Sequence, residues 1–452
     1  MFDWRKQLSL QSILEFLTKL FLFLLPWQTI WIIREQYLGG VKMEYGTTGF
    51  YGTELLLWVT VVLFMVWFVK RNKELGIRNK FMLTRDRVFV FSVLLFTVYC
   101  LLSSMWAFDK GLAWQQGLRI MEMFLLFFII FLGPLNFLQT AKWFVFGAIP
   151  VAVLGIGQFL LQETFTSKWL GLVAHPVWEA GTSIIQSDSI GRWLRAYGSF
   201  SHPNVFGGYL VIIIVTLLYC YIVKIGEQRR IFINLLFFIL YPLFLTALFF
   251  TFSRSAWLSF FIILLSFIVI AIKQYFKNLK QSFIIYHLSF IIIILFSILF
   301  FPLIQTRVFS QSISEVRSVT ERVSGYHEAW KIFKQDPLLG VGAGNYTLSL
   351  YRLDKWQPGW VYQPVHNVGL LVLSELGLVG VSLFFFVIGS FVYLIIKDKD
   401  GRNKILFIIP YFLFLIPLLI FDHYLYSSYT GLMMFGLFWS LWAKYSTQSL
   451  PR

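Results

Sequence analysis

Arginine next to short polar residues at the start of an apolar stretch is equipment for holding a phosphate, and this chain repeats that arrangement. The segments are Arg195-Ala-Tyr-Gly-Ser-Phe-Ser-His202-Pro203-Asn204, Thr251-Phe-Ser253-Arg254-Ser255 and Val365-His366-Asn367. A guanidinium pairs with two phosphate oxygens at once. A helix N-terminus presents free N–H groups and the positive end of its dipole to an anion. A histidine, with an ordinary pKa of about 6.5, can take up a proton near neutral pH. Pro203 suits a first helical turn, and Ser253 and Ser255 can cap a helix. Each piece also has a plainer use. Arg254 can snorkel to a membrane interface, Arg195 can pair with Glu179 or Asp188, His202 can serve as a turn or cap, and His366 with Asn367 can open a helix.

A fourth segment adds side chains to the same set. From about Ser314 to Gln335 the spacing of Arg322, Tyr326, Trp330 and Phe333 places them on one face of an amphipathic helix, which Asp336-Pro337 should end. Gly340-Val-Gly342-Ala-Gly344-Asn345-Tyr346 follows. Its backbone N–H groups could cradle a phosphate, but it lacks the Lys-Ser/Thr ending of a Walker loop. A tight turn under the amphipathic helix is the expected role. No Asp-x-Asp pair falls in the segments expected to share this face to hold a divalent cation against a phosphate.

The elements that position these residues follow from composition. The chain has 452 residues, 58% hydrophobic and 20% aromatic with 13% charged, and a mean hydropathy of +0.73. It has too little polar surface to coat a soluble globule of that length. A net charge of +16 does not mark a nucleic-acid binder here, because Lys and Arg fall mostly in short loops between apolar runs. Cys100 and Cys220 both lie inside apolar runs, which excludes a disulfide framework. No cleavable signal peptide is expected.

Runs of about 20 apolar residues predict twelve membrane spans, at 12–33, 50–69, 87–106, 114–133, 141–162, 203–224, 230–251, 254–273, 283–304, 366–396, 404–421 and 425–443. Lipid permits only helices or closed barrels, and continuous apolar runs mean helices. The expected fold is therefore an all-α integral membrane bundle. Alternate loops hold 22 of the 38 basic residues on one side, which predicts cytoplasmic termini. Residues 1–304 then carry spans one to nine with an outer segment at 163–202. Residues 305–365 form a large helical extracytoplasmic loop, and 366–452 carry the last three spans. Spans six, eight and ten start on the outer face, where the three polar segments lie.

These residues resemble the O-antigen ligase and O-antigen polymerase superfamily. The resemblance rests on Arg195 with Gly198-Ser-Phe-Ser-His-Pro-Asn204, Ser253-Arg254-Ser255, Glu321-Arg322 with Trp330, and Asp336-Pro-Leu-Leu-Gly-Val-Gly342. His366-Asn367 with Glu375-Leu-Gly377-Leu-Val-Gly380 completes it. It implies a GT-C-like enzyme in the bacterial cytoplasmic (inner) membrane, with its active site extracytoplasmic. The implied reaction moves a glycan from an undecaprenyl-diphosphate carrier to an acceptor hydroxyl on lipid A-core, a glycan or another anchor, inverting its configuration and requiring no metal or cofactor. Arg195 and Arg254, with Arg322 beside them, then hold the diphosphate, and His366 activates the acceptor. His202, Asn204, Tyr326, Trp330 and Asn367 support them. Ligase and polymerase share these motifs, and the reading leans to ligase. A secondary transporter or flippase is the alternative from another class, resting on Glu15, Lys19, Glu54, Arg119, Glu122 and Glu375 inside apolar runs.

Overall fold

The computed structural model describes residues 9–38, 40–74, 87–187, 189–223, 230–273, 279–309, 313–357, 359–396 and 412–447. In chain order the longer elements are α1 (Leu10–Leu24), β1 (Ile30–Leu38), β2 (Val41–Tyr51), α2 (Gly52–Glu74), α3 (Arg87–Leu102), α4 (Lys110–Leu132) and α5 (Phe137–Leu161). Then come β3 (Ile184–Ser187), β4 (Gly191–Leu194), α6 (Pro203–Val223), α7 (Arg230–Phe250), α8 (Arg254–Lys273), α9 (Leu279–Leu299) and α10 (Phe301–Phe309). The chain continues with α11 (Ile313–Phe333), α12 (Tyr346–Leu353), α13 (Val368–Ile396), α14 (Leu415–Phe421), α15 (Tyr424–Ser427) and α16 (Tyr429–Thr447).

Among the described residues six helices are long and apolar enough to cross a membrane, in α2, α3, α4, α5, α6 and α13. A seventh crossing arises if the bent pair α9–α10 counts as one. Twelve spans are expected; α7 and α8 cover two more of them, with shorter apolar stretches at Leu236–Phe250 and Arg254–Ser266, and two of the other departures have local causes. The span at 12–33 stops at Leu24, because Pro26 cannot continue a helix. The β-branched run Ile30-Trp-Ile-Ile33 then enters a hairpin, β1 pairing antiparallel with β2 from Ile30 opposite Tyr51 to Leu38 opposite Val41. Hydropathy alone reads that run as more helix. The span at 283–304 bends by 93° between α9 and α10, where Pro302 falls in the first turn of the new helix. Positions 404–411 of the eleventh span lie outside the described residues, as do Arg5, Lys6, Lys224, Arg229, Lys277 and Arg452 from the topology count.

α6 lies at the centre of the bundle and is buried almost throughout, Phe206 and Tyr209 through Ile214 among its core residues. Lys444 on α16 reaches the end of α4 and donates to the carbonyls of Ile130 (2.6 Å) and Gly133 (3.0 Å), where a cation suits the negative end of the helix. Charges that a transporter would use have structural partners. Glu15 pairs with Lys19 (3.3 Å), and Glu122 accepts from the Trp58 indole (2.6 Å).

The glycine-rich loop is anchored to a break in α13. Gly377 sits inside that helix at φ 63°, ψ −169°, a conformation open to glycine. A Cβ there would lie 2.3 Å from the Leu338 carbonyl oxygen, and one on Gly340 would lie 2.4 Å from the Glu375 backbone. Through this close approach Val341 and Gly342 donate to the carbonyls of Ser374 (3.1 Å) and Glu375 (2.8 Å), while Leu378 donates back to Pro337 (2.9 Å). Tyr99 donates to the carbonyls of Leu376 (2.8 Å) and Leu339 (3.1 Å), joining both sides.

Candidate active site

Arg195 to Asn204 is held by groups from three directions. The Gln158 side chain on α5 accepts from the N–H groups of Tyr197 (3.1 Å) and Gly198 (2.8 Å) and donates to the Gly198 carbonyl (2.9 Å). Ser199 donates to the Pro26 carbonyl (2.6 Å). The His175 ring stacks on Tyr197 with centroids 4.0 Å apart. With the segment fixed, the Arg195 guanidinium, only 3% exposed, donates to the Thr251 carbonyl (2.7 Å), the Ser183 hydroxyl (2.6 Å) and the Asn204 side-chain oxygen (2.8 Å).

From Asn204 the network runs to a residue the sequence reading did not single out. The Asn204 amide donates to Asp422 (2.9 Å), and the other Asp422 oxygen accepts from Ser255 (2.6 Å). Asp422 is buried, and its carboxylate therefore joins the starts of α6 and α8 to the end of α14. Arg307, also missed, is buried and donates through Nε to the Phe252 carbonyl (3.0 Å). Phe252 sits at φ 47°, an uncommon conformation for an aromatic residue. The turn between α7 and α8 thus carries local strain, and two arginines hold its carbonyls.

Three histidines gather beside this network. The rings of His366 and His423 meet edge to face at 5.1 Å, and the charges of Arg195 and Arg307 and both other histidines act on His202. His202 accepts the Asn204 N–H at Nδ1 (3.1 Å) while its carbonyl receives Val205 and Phe206 (3.1 and 3.2 Å), so it caps α6. His423 Nδ1 hydrogen-bonds the Ser427 hydroxyl (2.7 Å). His366 differs, for its ring nitrogens carry no hydrogen bond among the described residues. The Asn367 N–H closes a γ-turn on the Val365 carbonyl (2.7 Å), and the Asn367 side chain caps α13 by accepting from Leu370 (2.9 Å). His366 stands at the apex of that turn.

Burial sets the protonation of all three. It pushes His202 and His423 well below the ordinary histidine range, aided for His202 by Arg195 and for His423 by His366. Burial also lowers His366, with the Asp422 charge opposing and Arg322 adding to the push. His366 is therefore neutral and able to accept a proton at neutral pH.

The remaining expected residues divide. Arg254 reaches the Ser318 hydroxyl on α11 (3.5 Å). Arg322 lies close enough for its charge to act on His366, and its Nε is buried with no hydrogen-bond partner among the described residues. Tyr326 approaches the Ile420 carbonyl (3.5 Å). Trp330 is 48% exposed and packs on Phe333 at 5.1 Å. The buried stripe of α11 runs instead through Gly325, Ala329 and Ile332, so the face expected from the aromatic spacing is turned partly outward. The glycine loop is not a phosphate cradle. Every N–H from Gly340 to Tyr346 donates to a protein acceptor, with Gly344 and Tyr346 on the Glu375 carboxylate (2.7 and 3.3 Å).

The missed residues carried a signal. Asp422 and His423 occupy the few positions between the last two apolar runs, on the face expected to hold the three helix starts, and Arg307 follows the ninth run on that same face.

No curated protein matches the chain. A protein-family model does: residues 239–385 match the family described as O-Antigen ligase, a stretch holding Arg254, Arg307, Arg322 and His366. The match and the apolar helices agree on a membrane enzyme of glycosyltransferase type, acting on a lipid-linked glycan and an acceptor, and the match over this stretch supports membership of the O-antigen ligase and polymerase superfamily.

Proposed function

We propose that the protein transfers a glycan from an undecaprenyl-diphosphate carrier to an acceptor hydroxyl, in the manner of an O-antigen ligase, on the outer face of the bacterial cytoplasmic membrane. The observation that carries this reading is the contrast among the three clustered histidines. His202 and His423 have Nδ1 committed to protein groups, whereas His366 is neutral with its ring uncommitted. In the reaction His366 takes the proton of the acceptor hydroxyl, whose oxygen attacks the anomeric carbon. The new C–O bond forms as the bond to the diphosphate breaks, and the configuration inverts. The diphosphate leaves with the electron pair, and Arg254 and Arg322 supply countercharge to it in place of a divalent cation. Arg195, with three donors engaged, sets the position of Asn204 and Asp422 and adds positive charge to the pocket.

Proteoliposomes containing only the purified protein, its lipid-linked glycan and an acceptor lipid should form the transferred product. Absence of product with both substrates present defeats the reading, and elongation of the donor without acceptor lipid would make the enzyme a polymerase. In intact cells a cysteine replacing Trp356, which is 95% exposed, should react with an impermeant reagent from outside. A cysteine at position 79 should not, and the reversed pattern overturns the orientation.

A further inference from the structure

Beneath the β1–β2 hairpin lies a cavity of about 510 Å³, within the range of small-ligand sites. Its roof is fixed to α4. Gln115 and Arg119 both donate to the Gly49 carbonyl (2.7 and 3.3 Å), and Arg34 of β1 pairs with Asp109 at the start of α4 (2.8 Å). Three groups in its lining have no hydrogen-bond partner among the described residues: the Thr347 hydroxyl, in a residue 2% exposed, the buried Arg119 Nε and the buried Tyr429 hydroxyl. Buried polar groups in native proteins are nearly always paired, so a guest with hydroxyls or other small polar groups completes this lining. Lys42 and Glu44 bring opposite charges to the same wall, which favours a neutral guest over a diphosphate.

The cavity ends one ring away from the candidate base. Tyr45 lines it and meets His423 edge to face at 5.6 Å, and Ser427 lines it and holds His423 Nδ1. His423 in turn meets His366. The geometry points to this cavity as the seat of the acceptor: a neutral, hydroxyl-rich saccharide end held by Arg119 and Thr347, with one hydroxyl delivered towards His366. This inference rests on the glycosyl-transfer reading and extends it to substrate recognition.

The test separates the saccharide from the lipid diphosphate. Thr47, on the hairpin wall of the cavity, and Ser318, beside Arg254, are each replaced by cysteine in the full-length protein. Maleimide labelling is followed with either lipid-free oligosaccharides released by mild acid from the strain's own surface polysaccharide, or undecaprenyl diphosphate. Labelling of the parent subtracts Cys100 and Cys220. The oligosaccharides should protect Thr47→Cys and undecaprenyl diphosphate should not. Adding the near-isosteric Thr347→Val should raise the protecting concentration about two- to tenfold, the worth of one neutral hydrogen bond. Protection of Thr47→Cys by undecaprenyl diphosphate overturns the inference, as does an unchanged protecting concentration in Thr347→Val. If oligosaccharides protect neither position while undecaprenyl diphosphate protects Ser318→Cys, the cavity is excluded and the transferase reading stands. Protection of neither cysteine by either probe counts against both.

Discussion

The loop from Gly340 to Tyr346 and the turn from Val365 to Asn367 flank the same helix, and by residue type both look able to meet an anion or a hydroxyl. In the loop all seven N–H groups are given to protein acceptors, four of them within α13: Val341 and Gly342 donate to the carbonyls of Ser374 and Glu375, and Gly344 and Tyr346 to the Glu375 carboxylate. In the turn the Asn367 N–H and side chain are occupied, but the His366 ring carries no hydrogen bond among the described residues. Residue type and spacing nominate a place for chemistry, and unused hydrogen-bonding capacity decides between nominees. One region is built to hold a broken helix together, the other to present a base.

Substitutions on the two sides of this contrast should fail in different ways. The largest effect is expected from His366→Ala. It should stay folded and bind the lipid-linked donor as the parent does, yet lose transfer by about 10²–10⁴-fold, the usual worth of a general base. Single-turnover assays beside donor-binding measurements check this, and full transfer would remove His366 from the mechanism. Gly377→Ala should do the reverse, lowering folded yield and thermal stability by roughly 3 kcal/mol or more, since the Cβ meets the Leu338 carbonyl at a backbone conformation alanine resists. Whatever Gly377→Ala protein folds should turn over normally, and a fully stable variant would mean that the close approach is dispensable.

A smaller effect is expected for Arg322→Lys. An ammonium keeps the charge but loses the two-pronged grip, so donor affinity should weaken about tenfold. An unchanged dissociation constant would assign the diphosphate to other groups. The finest test is the pH profile. A base must be unprotonated, and burial holds His366 below its ordinary value, so transfer should rise with pH through that lowered value and level off before the ordinary histidine range is passed. Asp422 opposes the lowering, so Asp422→Asn should move the rising limb to more acidic pH. A limb that stays in place would leave Asp422 with a purely structural part.

The starts of α6, α8 and α13 were legible because helix-start residues mark them: Pro203, Ser253 with Arg254, and Asn367. The site residues nearest those marks were legible with them. The β1–β2 hairpin was not, since an Ile-rich strand and an apolar helix have the same hydropathy and Pro26 is a single letter between them. The pairing of Asp422 with Asn204 and Ser255 was hidden for another reason. It joins positions 218 and 167 residues apart, and no local pattern records such a distance. The cavity was equally silent, because its walls come from β2, α4, α12 and α16 together.

The break in α13 also has a consequence for biogenesis. Residues 337–342 leave the ribosome before 374–378, and backbone groups that the fold buries must find their partners within it. Until α13 has entered, Val341 and Gly342 lack the carbonyls of Ser374 and Glu375, and Leu378 finds its acceptor at Pro337 only when the two strands of chain meet. The loop and the helix therefore mature as one unit. A nascent chain arrested before Ser374 should remain open to protease in this loop, and release of the following segment should close it.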